Sequence, residues 1–329
     1  MPTKKEATKP PNVVDESQMG IQQYLDHIKE KYTAQADIED QAKKSAKEIH
    51  DKIGQSPEQM WFPFAPMPTE LCRTSPFFPM AKQNMTERPY IRDMVITDNS
   101  WGKITYTGPK LSTYEEDVLM AILALLDEAK NREEIEVEGK TTYTYTGPIR
   151  PILRLMGYKT FGSSSYNRAI ESMKLLHGAV VDFRKKGVRR KINNILIDCD
   201  IDEKSKQLTV TVNPYFHEMY MAGSITLLDV IRRARLKSPI AKSLDRFIQS
   251  HRDKSWRGHI ITLAVALNLD LEQPMKQTRR QIKDSINILI NNGILEPSST
   301  VKNDIVTLAK IVPKTGRGDS YATPTKKLT

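Results

Sequence analysis

Two stretches of this chain carry the same succession of start and stop signals, and that repetition limits the fold more than any other feature. In each, a capped amphipathic helix precedes a short helix, a turn, a longer helix ended by glycine, and strand-like runs. In the first stretch Ser112 and Glu115 form a capping box, and Val118, Ile122, Leu125 and Ala129 recur at helical spacing. A short helix is expected from about Ile149 to Met156, stopped by Gly157, and a longer one from about Ser164 to Leu176, stopped by Gly178. Strands are expected at Ala179–Phe183 and Asn194–Asp198, flanking a basic turn from Lys185 to Lys191, with a third at Gln207–Val212. In the second stretch Ser238-Pro239 opens a helix whose buried stripe is Ile240, Leu244, Phe247 and Ile248. A short helix at Thr262–Leu267, a turn at Asn268–Gln273 and a long helix from Pro274 to about Asn292 follow, and Gly293 ends it. Strands at Ile294–Leu295 and Ile305–Val312 are expected to close the unit.

Helix, short helix, turn, longer helix and hairpin is the order of a helix-turn-helix unit with a β-hairpin appended, the winged helix. The expected fold class is therefore α+β, with two tandem winged-helix domains at 63–222 and 223–312. A partly disordered, then helical, N-terminal extension covers 1–62, and a flexible tail covers 313–329. Residues 1–16 are polar and lysine-bearing, and Ser17–Ile53 is proline-free with a thin apolar stripe at Ile21, Leu25 and Ile28. The prolines of Trp61–Pro68 and Ser75–Pro79 forbid helix there, and the interleaved aromatics predict an apolar strap across the first domain. Asp93–Thr97 and Lys103–Thr107 alternate like paired strands about a turn at Asp98–Gly102.

In a DNA-reading helix-turn-helix unit the last helix must be packed on one face and polar on the other, because it lies in the major groove. In the second unit Ile282, Ile286 and Leu289 supply the packed face. Lys276, Arg280, Lys283 and Asn287 line another face, with Gln277 and Arg279 beside them. Lys276, Gln277, Arg279, Arg280 and Lys283 are the candidates for base readout, since Arg and Lys suit guanine edges and Gln suits adenine. The first unit offers Ser163, Ser164, Ser165, Asn167, Arg168 and Lys174 for bases or phosphates; the serines read equally as a cap and turn. Phosphate contacts are assigned to Lys185, Lys186, Arg189, Arg190 and Lys191 on the basic hairpin, and to Arg252, Lys254 and Arg257 in a second basic run that begins near Arg232. Fifty Lys and Arg against forty Asp and Glu give a net charge of +10, which suits an anionic partner.

The same residues argue against other classes. Cys72 and Cys199 form no CxxC pair, so neither a metal site nor a disulfide framework is expected, and no cofactor is called for. A nicking initiator needs closely spaced histidines to hold a metal, and the six histidines contain no His-x-His; nor is there a GxxxxGK[ST] nucleotide loop. The expectation is a non-enzyme. No apolar stretch follows Met1–Pro11 as in a signal peptide, and no run of about eighteen apolar residues occurs, so a cytoplasmic, nucleoid- or plasmid-associated bacterial protein without membrane contact is expected.

Between Met67 and about Leu295 the sequence resembles the TrfA-type plasmid replication initiators, a branch of the winged-helix initiators. The segments that carry the resemblance are Met67–Ser75, Gly102–Gly108 with Glu115–Val118, Ile152–Gly157 with Ser165–Arg168, and Arg246–Arg252, in that order and spacing. The resemblance implies binding of double-stranded DNA at repeated origin sites (iterons), help in opening the origin, and recruitment of the host initiator DnaA, the replicative helicase and the sliding clamp. It also implies a homodimeric form beside a DNA-binding monomer. The N-terminal 60 residues fall outside it, and Gln23-Tyr-Leu25 is too faint an echo of a clamp-binding peptide to carry that role. The alternative reading is a winged-helix transcriptional repressor or copy-number regulator; a nicking enzyme is the distant third.

Overall fold

The computed structural model describes residues 64–80, 88–98, 102–127, 132–137, 139–185, 189–202, 204–205 and 207–311. All of them belong to one compact unit, Trp61–Thr329. The expected N-terminal helix, residues 1–62 and the tail lie outside the described residues.

The proline-rich strap is ordered by pairing. β1 (Phe64–Pro68) is followed directly by a short helix, α1 (Thr69–Arg73), and then by β2 (Phe77–Phe78). Ala65, Met67, Leu71 and Phe77 are buried, so the strap serves as core. A hairpin follows, β3 (Tyr90–Asp98) with β4 (Gly102–Pro109), antiparallel as the alternation predicted. β5 (Leu111–Ser112) then leads into α2 (Thr113–Leu126).

The capping box of α2 is present: the Ser112 side chain accepts from Tyr114 N, and the Ser112 N–H donates to Glu115 Oε2 at 2.7 Å. Every residue of α2 but Tyr114 is buried, where the sequence predicted a single stripe at Val118, Ile122, Leu125 and Ala129, the last of which lies outside the described residues. A helix enclosed on all sides is the centre of a core. β1, the strand Lys140–Pro148 and the helices Arg150–Leu155, Ser163–His177 and Val230–Arg235 all pack against it. Its three consecutive carboxylates are buried too, and all are paired with cations: Glu115 with Arg88, Glu116 with Arg233 and Arg246, and Asp117 with Arg233 and Lys242. Glu115 receives both Arg88 Nη groups at 2.9 and 3.1 Å, together with the Ser172 hydroxyl at 3.0 Å.

β6 (Arg132–Val137) and β7 (Lys140–Pro148) form a hairpin at Gly139. The short helix α3 (Arg150–Leu155) and the longer α4 (Ser163–His177) follow. Gly157 after α3 has φ +86°, and a Cβ there would stand 3.0 Å from the Ala234 Cβ, which explains the stop. Beyond α4 the structure departs from the sequence reading. β8 (Val180–Lys185) pairs with β9 (Arg189–Asn194), so Arg189, Arg190 and Lys191 stand on a strand, not in a turn. At Ile195 the chain crosses to a different sheet, where β10 (Leu196–Asp202) pairs with β11 (Gln207–Val212). The expected strand Asn194–Asp198 therefore straddles two sheets, of order β3-β4-β8-β9 and β10-β11-β7-β6.

Among the elements not expected from the sequence are α5 (Pro214–Met221), β12 (Ile225–Asp229) and α6 (Val230–Arg235). β12 is the antiparallel partner of β1, from Phe64↔Asp229 to Pro68↔Ile225. A two-stranded ribbon tolerates Pro66 and Pro68, which have no N–H to give.

The second half begins with α7 (Pro239–Gln249), capped by Ser238 accepting from Ala241 N. β13 (Ser255–His259), α8 (Ile260–Ala266) and α9 (Met275–Asn291) come next, then β14 (Thr300–Lys302) and β15 (Ile305–Ala309). The first closing strand is Thr300–Lys302; Ile294–Leu295 contributes a single bridge, Leu295↔Lys310. The sheet runs β13-β15-β14. A second core fills this half, with Leu244, Ile248, Leu263, Ile282, Ile286, Leu289, Val306 and Leu308 buried.

The two halves share a topology. In the second, helix, strand, helix, helix, strand, strand is α7, β13, α8, α9, β14, β15. In the first, α2, β7, α3, α4, β10, β11 follow the same order, and β7-β11-β10 takes the same sheet arrangement as β13-β15-β14. The hairpin β8–β9 is an insertion between α4 and β10.

Charged side chains join the halves. Arg233, on α6, gives Nε to Asp117 and Nη2 to Glu116, both at 2.7 Å. Arg246, on α7, gives Nη1 to Glu116 at 2.8 Å and Nε to the Cys72 carbonyl at 3.2 Å. Lys242 pairs with Asp117. Arg233 and Arg246 are 2% and 0% exposed, so these members of the Arg232–Arg257 basic run lie inside the protein.

Candidate nucleic-acid interface

α9 is split lengthwise as a groove-binding helix must be. Thr278, Ile282, Ser285, Ile286 and Leu289 are buried, while Lys276, Gln277, Arg280, Lys283 and Asn287 are exposed. Four long hydrogen-bonding side chains are thus exposed on the first turns of α9, the position from which a recognition helix reaches base edges. Pro274 sets its start, and no side chain caps it.

The helix before it is held from both ends. At α8 the His259 ring nitrogen Nδ1 accepts from Ile261 N at 3.3 Å. The turn between α8 and α9 bends at Asn268, with φ +53°, and the Asn268 amide donates to the Ser75 and Phe77 carbonyls of the strap at 2.5 and 3.3 Å. Ile261, Thr262 and Val265 stay exposed on the outer side of α8.

The hairpin β14–β15 turns on Asn303 and Asp304, with φ +48° and +62°. Two successive left-handed residues make the tight turn whose twist matches the flanking strands, and Asn and Asp adopt that geometry best after glycine. The Asp304 carbonyl accepts from Ile260 N at 2.8 Å, so the turn sits against the start of α8. Its carboxylate takes Nε and Nη2 of Arg279 at 2.5 and 2.8 Å. Arg279 therefore differs from the other base-readout candidates: its guanidinium is held by the hairpin. Hydrogen bonding to Arg279 also keeps the Asp304 carboxyl below the usual carboxylate range. Lys302 is exposed beside this turn, a cation the sequence reading passed over.

Arg252, Lys254 and Arg257 are exposed on β13 and the segment before it. In the first half Ser163, Ser164, Asn167 and Lys174 are exposed on α4. Ser165 donates to the Gly162 carbonyl at 2.8 Å and so belongs to the start of the helix. Arg168 lies 3.9 Å over the Tyr114 ring, whose hydroxyl meets that of Tyr158 at 3.1 Å. Lys174 stands 3.8 Å from Glu171. Lys186 and the tip of the basic hairpin lie outside the described residues, as do the side chains of Lys185, Arg189, Arg190 and Lys191. The first-half hairpin that matches β14–β15 in topology is β10–β11, whose exposed Asp198, Asp200 and Asp202 make it acidic; the basic residues belong to the inserted hairpin.

Among the described residues no helix is long and apolar enough to cross a membrane. The sequence matches no protein-family model and no curated protein. Among solved structures, a selenomethionine crystal structure of domains 2 and 3 of RctB is similar, with a TM-score of 0.51 and 11% identity, covering 75% of this chain and 99% of that one. A second structure of RctB domains 2–3 has a TM-score of 0.44 at 10% identity, over 74% and 97% of the two chains. The Pi initiator protein in complex with iteron DNA has a TM-score of 0.44 at 15% identity, over 60% and 90%. The first of these shows a fold shared across three quarters of the chain.

Proposed function

We propose that this chain is a replication initiator that binds repeated double-stranded DNA sites at an origin through two winged-helix units. The observation that carries the reading is α9. Its inner face is locked into the second core, and Lys276, Gln277, Arg280 and Lys283 stand exposed beside the short hairpin β14–β15. The repeated topology, with α4 in the matching place of the first half, supports a second groove-facing helix. The fold shared with domains 2 and 3 of RctB supports the architecture. Origin location, repeated sites, origin opening, a dimeric form and the recruitment of DnaA, helicase and clamp rest on the sequence resemblance to the TrfA-type initiators. The protein acts as a binder without catalysis or cofactor, in the cytoplasm on the plasmid or nucleoid.

The test is selection of duplexes by the purified chain from a randomised library, followed by titration of the winner against salt. A recurring sequence and a log–log salt slope of about −4 to −8 are expected for several cations on phosphates. Failure to enrich any sequence, or a flat salt response, would overturn the reading.

A further inference from the structure

We propose that Asp304 is a positioning residue for DNA specificity: from the hairpin turn it holds Arg279 so that Arg279 reads a guanine. This inference rests on the DNA-binding reading above.

The argument begins with donor geometry. A guanidinium carries five N–H groups in a fixed fork. Asp304 takes one from Nε and one from Nη2, along one side of the plane. Three remain, two on Nη1 and one on Nη2, and the outermost pair forms an end-on fork. Guanine presents O6 and N7 in the major groove, two acceptors at the spacing such a fork requires. The side-on carboxylate therefore leaves free the donors a guanine needs, and it fixes the plane in which they lie.

The position of Arg279 fits the same role. It is the fifth residue of α9, on the turns that carry Lys276, Gln277 and Arg280. Asp304 in turn is anchored through its backbone, by the hydrogen bond from Ile260 N and by the two-residue left-handed turn. A carboxylate fixed at backbone level removes the rotamer freedom that a long side chain would otherwise lose on binding, and such preorganisation favours affinity for the matching base.

The alternative is that the pair merely steadies the hairpin. An ion pair this open to water adds little to folding. It also sets a negative charge among exposed Lys276, Arg280, Lys283 and Lys302, where it repels phosphates. An anion at that place weakens sequence-independent binding, and orienting a base-reading arginine offsets the loss.

The test uses the full chain and the duplex it selects from a randomised library, with every single-base variant of that duplex. Asp304→Asn and Asp304→Gly suit the left-handed turn and should keep the hairpin, which thermal melts check. Both variants and Arg279→Ala should lose preference for guanine at one shared position, by roughly tenfold. The double variant Arg279→Ala, Asp304→Asn should be no worse in preference than Arg279→Ala alone. Meanwhile the Asp304 variants should bind unrelated duplex as tightly as the wild type or more so, because a phosphate-repelling charge has gone. A merely structural role would weaken all sequences together. Unchanged base preference in the Asp304 variants, uniform weakening, or a shared position that is not guanine would each overturn the inference while leaving the DNA-binding reading intact. A wild-type chain that selects no sequence would overturn both.

Discussion

Substituting Glu116 by Ala tests how the two halves are held together. Glu116 is fully buried, and its two oxygens receive two arginines, Arg233 at 2.7 Å and Arg246 at 2.8 Å. After the substitution Arg233 keeps Asp117 and the Lys242 carbonyl. Arg246 keeps only the Cys72 carbonyl among the described partners, and its Nη2 is already without one. A guanidinium would then lie buried and uncompensated. Removing one partner of a buried pair costs about 3–5 kcal/mol. At about 2–4 °C per kcal/mol for a body of this size, the melting temperature should fall by about 6–20 °C. Thermal melts followed by circular dichroism read the effect. Glu116→Leu combined with Arg246→Met removes the stranded charge as well as its partner, and should recover much of the loss, since apolar replacements of buried ion pairs are often close to neutral. If Glu116→Ala melted within about 2 °C of the wild type, or the double variant melted below the single one, the reasoning about this junction would be refuted.

Other perturbations separate the roles of the exposed groups. Gln277→Ala or Arg280→Ala should leave the melt unchanged, since both are exposed, and cut the specific-to-nonspecific affinity ratio by roughly tenfold or more; wild-type base preferences in both variants would move the readout to α4. Changing Arg189, Arg190 and Lys191 together to Ala should weaken binding to all duplexes alike and make the salt slope shallower, and a selective loss of site discrimination would show that the inserted hairpin reads bases. Burial, joined by the nearby Arg73 and Lys310 charges, lowers the His251 pKa below its ordinary 6.5, against the opposing hydrogen bond to the Phe247 carbonyl and the Asp253 charge. Native His251 resists a proton that the unfolded chain accepts, so stability is unaffected above about pH 6.5 and falls below it, until the native ring itself titrates. His251→Asn should flatten that acid limb of a melting-temperature profile, and coincident limbs would sink the assignment.

What could be read from the sequence was what neighbouring residues decide. Ser112 with Glu115, Ser238-Pro239 and the glycines at 157, 178 and 293 placed the helix ends, because capping is a matter of a few residues. The packed and polar faces of α9 followed from periodicity alone. What escaped was settled by pairing across long distances. β12 is an edge strand to a proline-rich partner some 160 residues earlier, and β13, with Arg257, Gly258 and His259 among its five residues, has little strand character until β15 pairs with it. Asn213 and Pro214 did announce α5 locally, since Asn213 caps it, and that signal went unread. The basic runs misled in two ways: Arg189–Lys191 lie on a strand that carries them through its pairing with β8, and Arg233 and Arg246 are drawn inside by Glu116 and Asp117. Both halves of that junction stood in the sequence, as an acidic first helical turn and a basic stretch, but a separation of more than a hundred residues hides the match. Arg279 looked like its neighbours on α9, and only the fold brings Asp304 to it.

The most direct test of the central claim is footprinting of the purified chain across the replicon that encodes it. The account predicts several protected sites of similar sequence, spaced in one orientation beside an AT-rich stretch of the origin, with protection lost together as salt is raised. A single protected site over a promoter, with the origin left bare, would contradict it and assign the chain to transcriptional control.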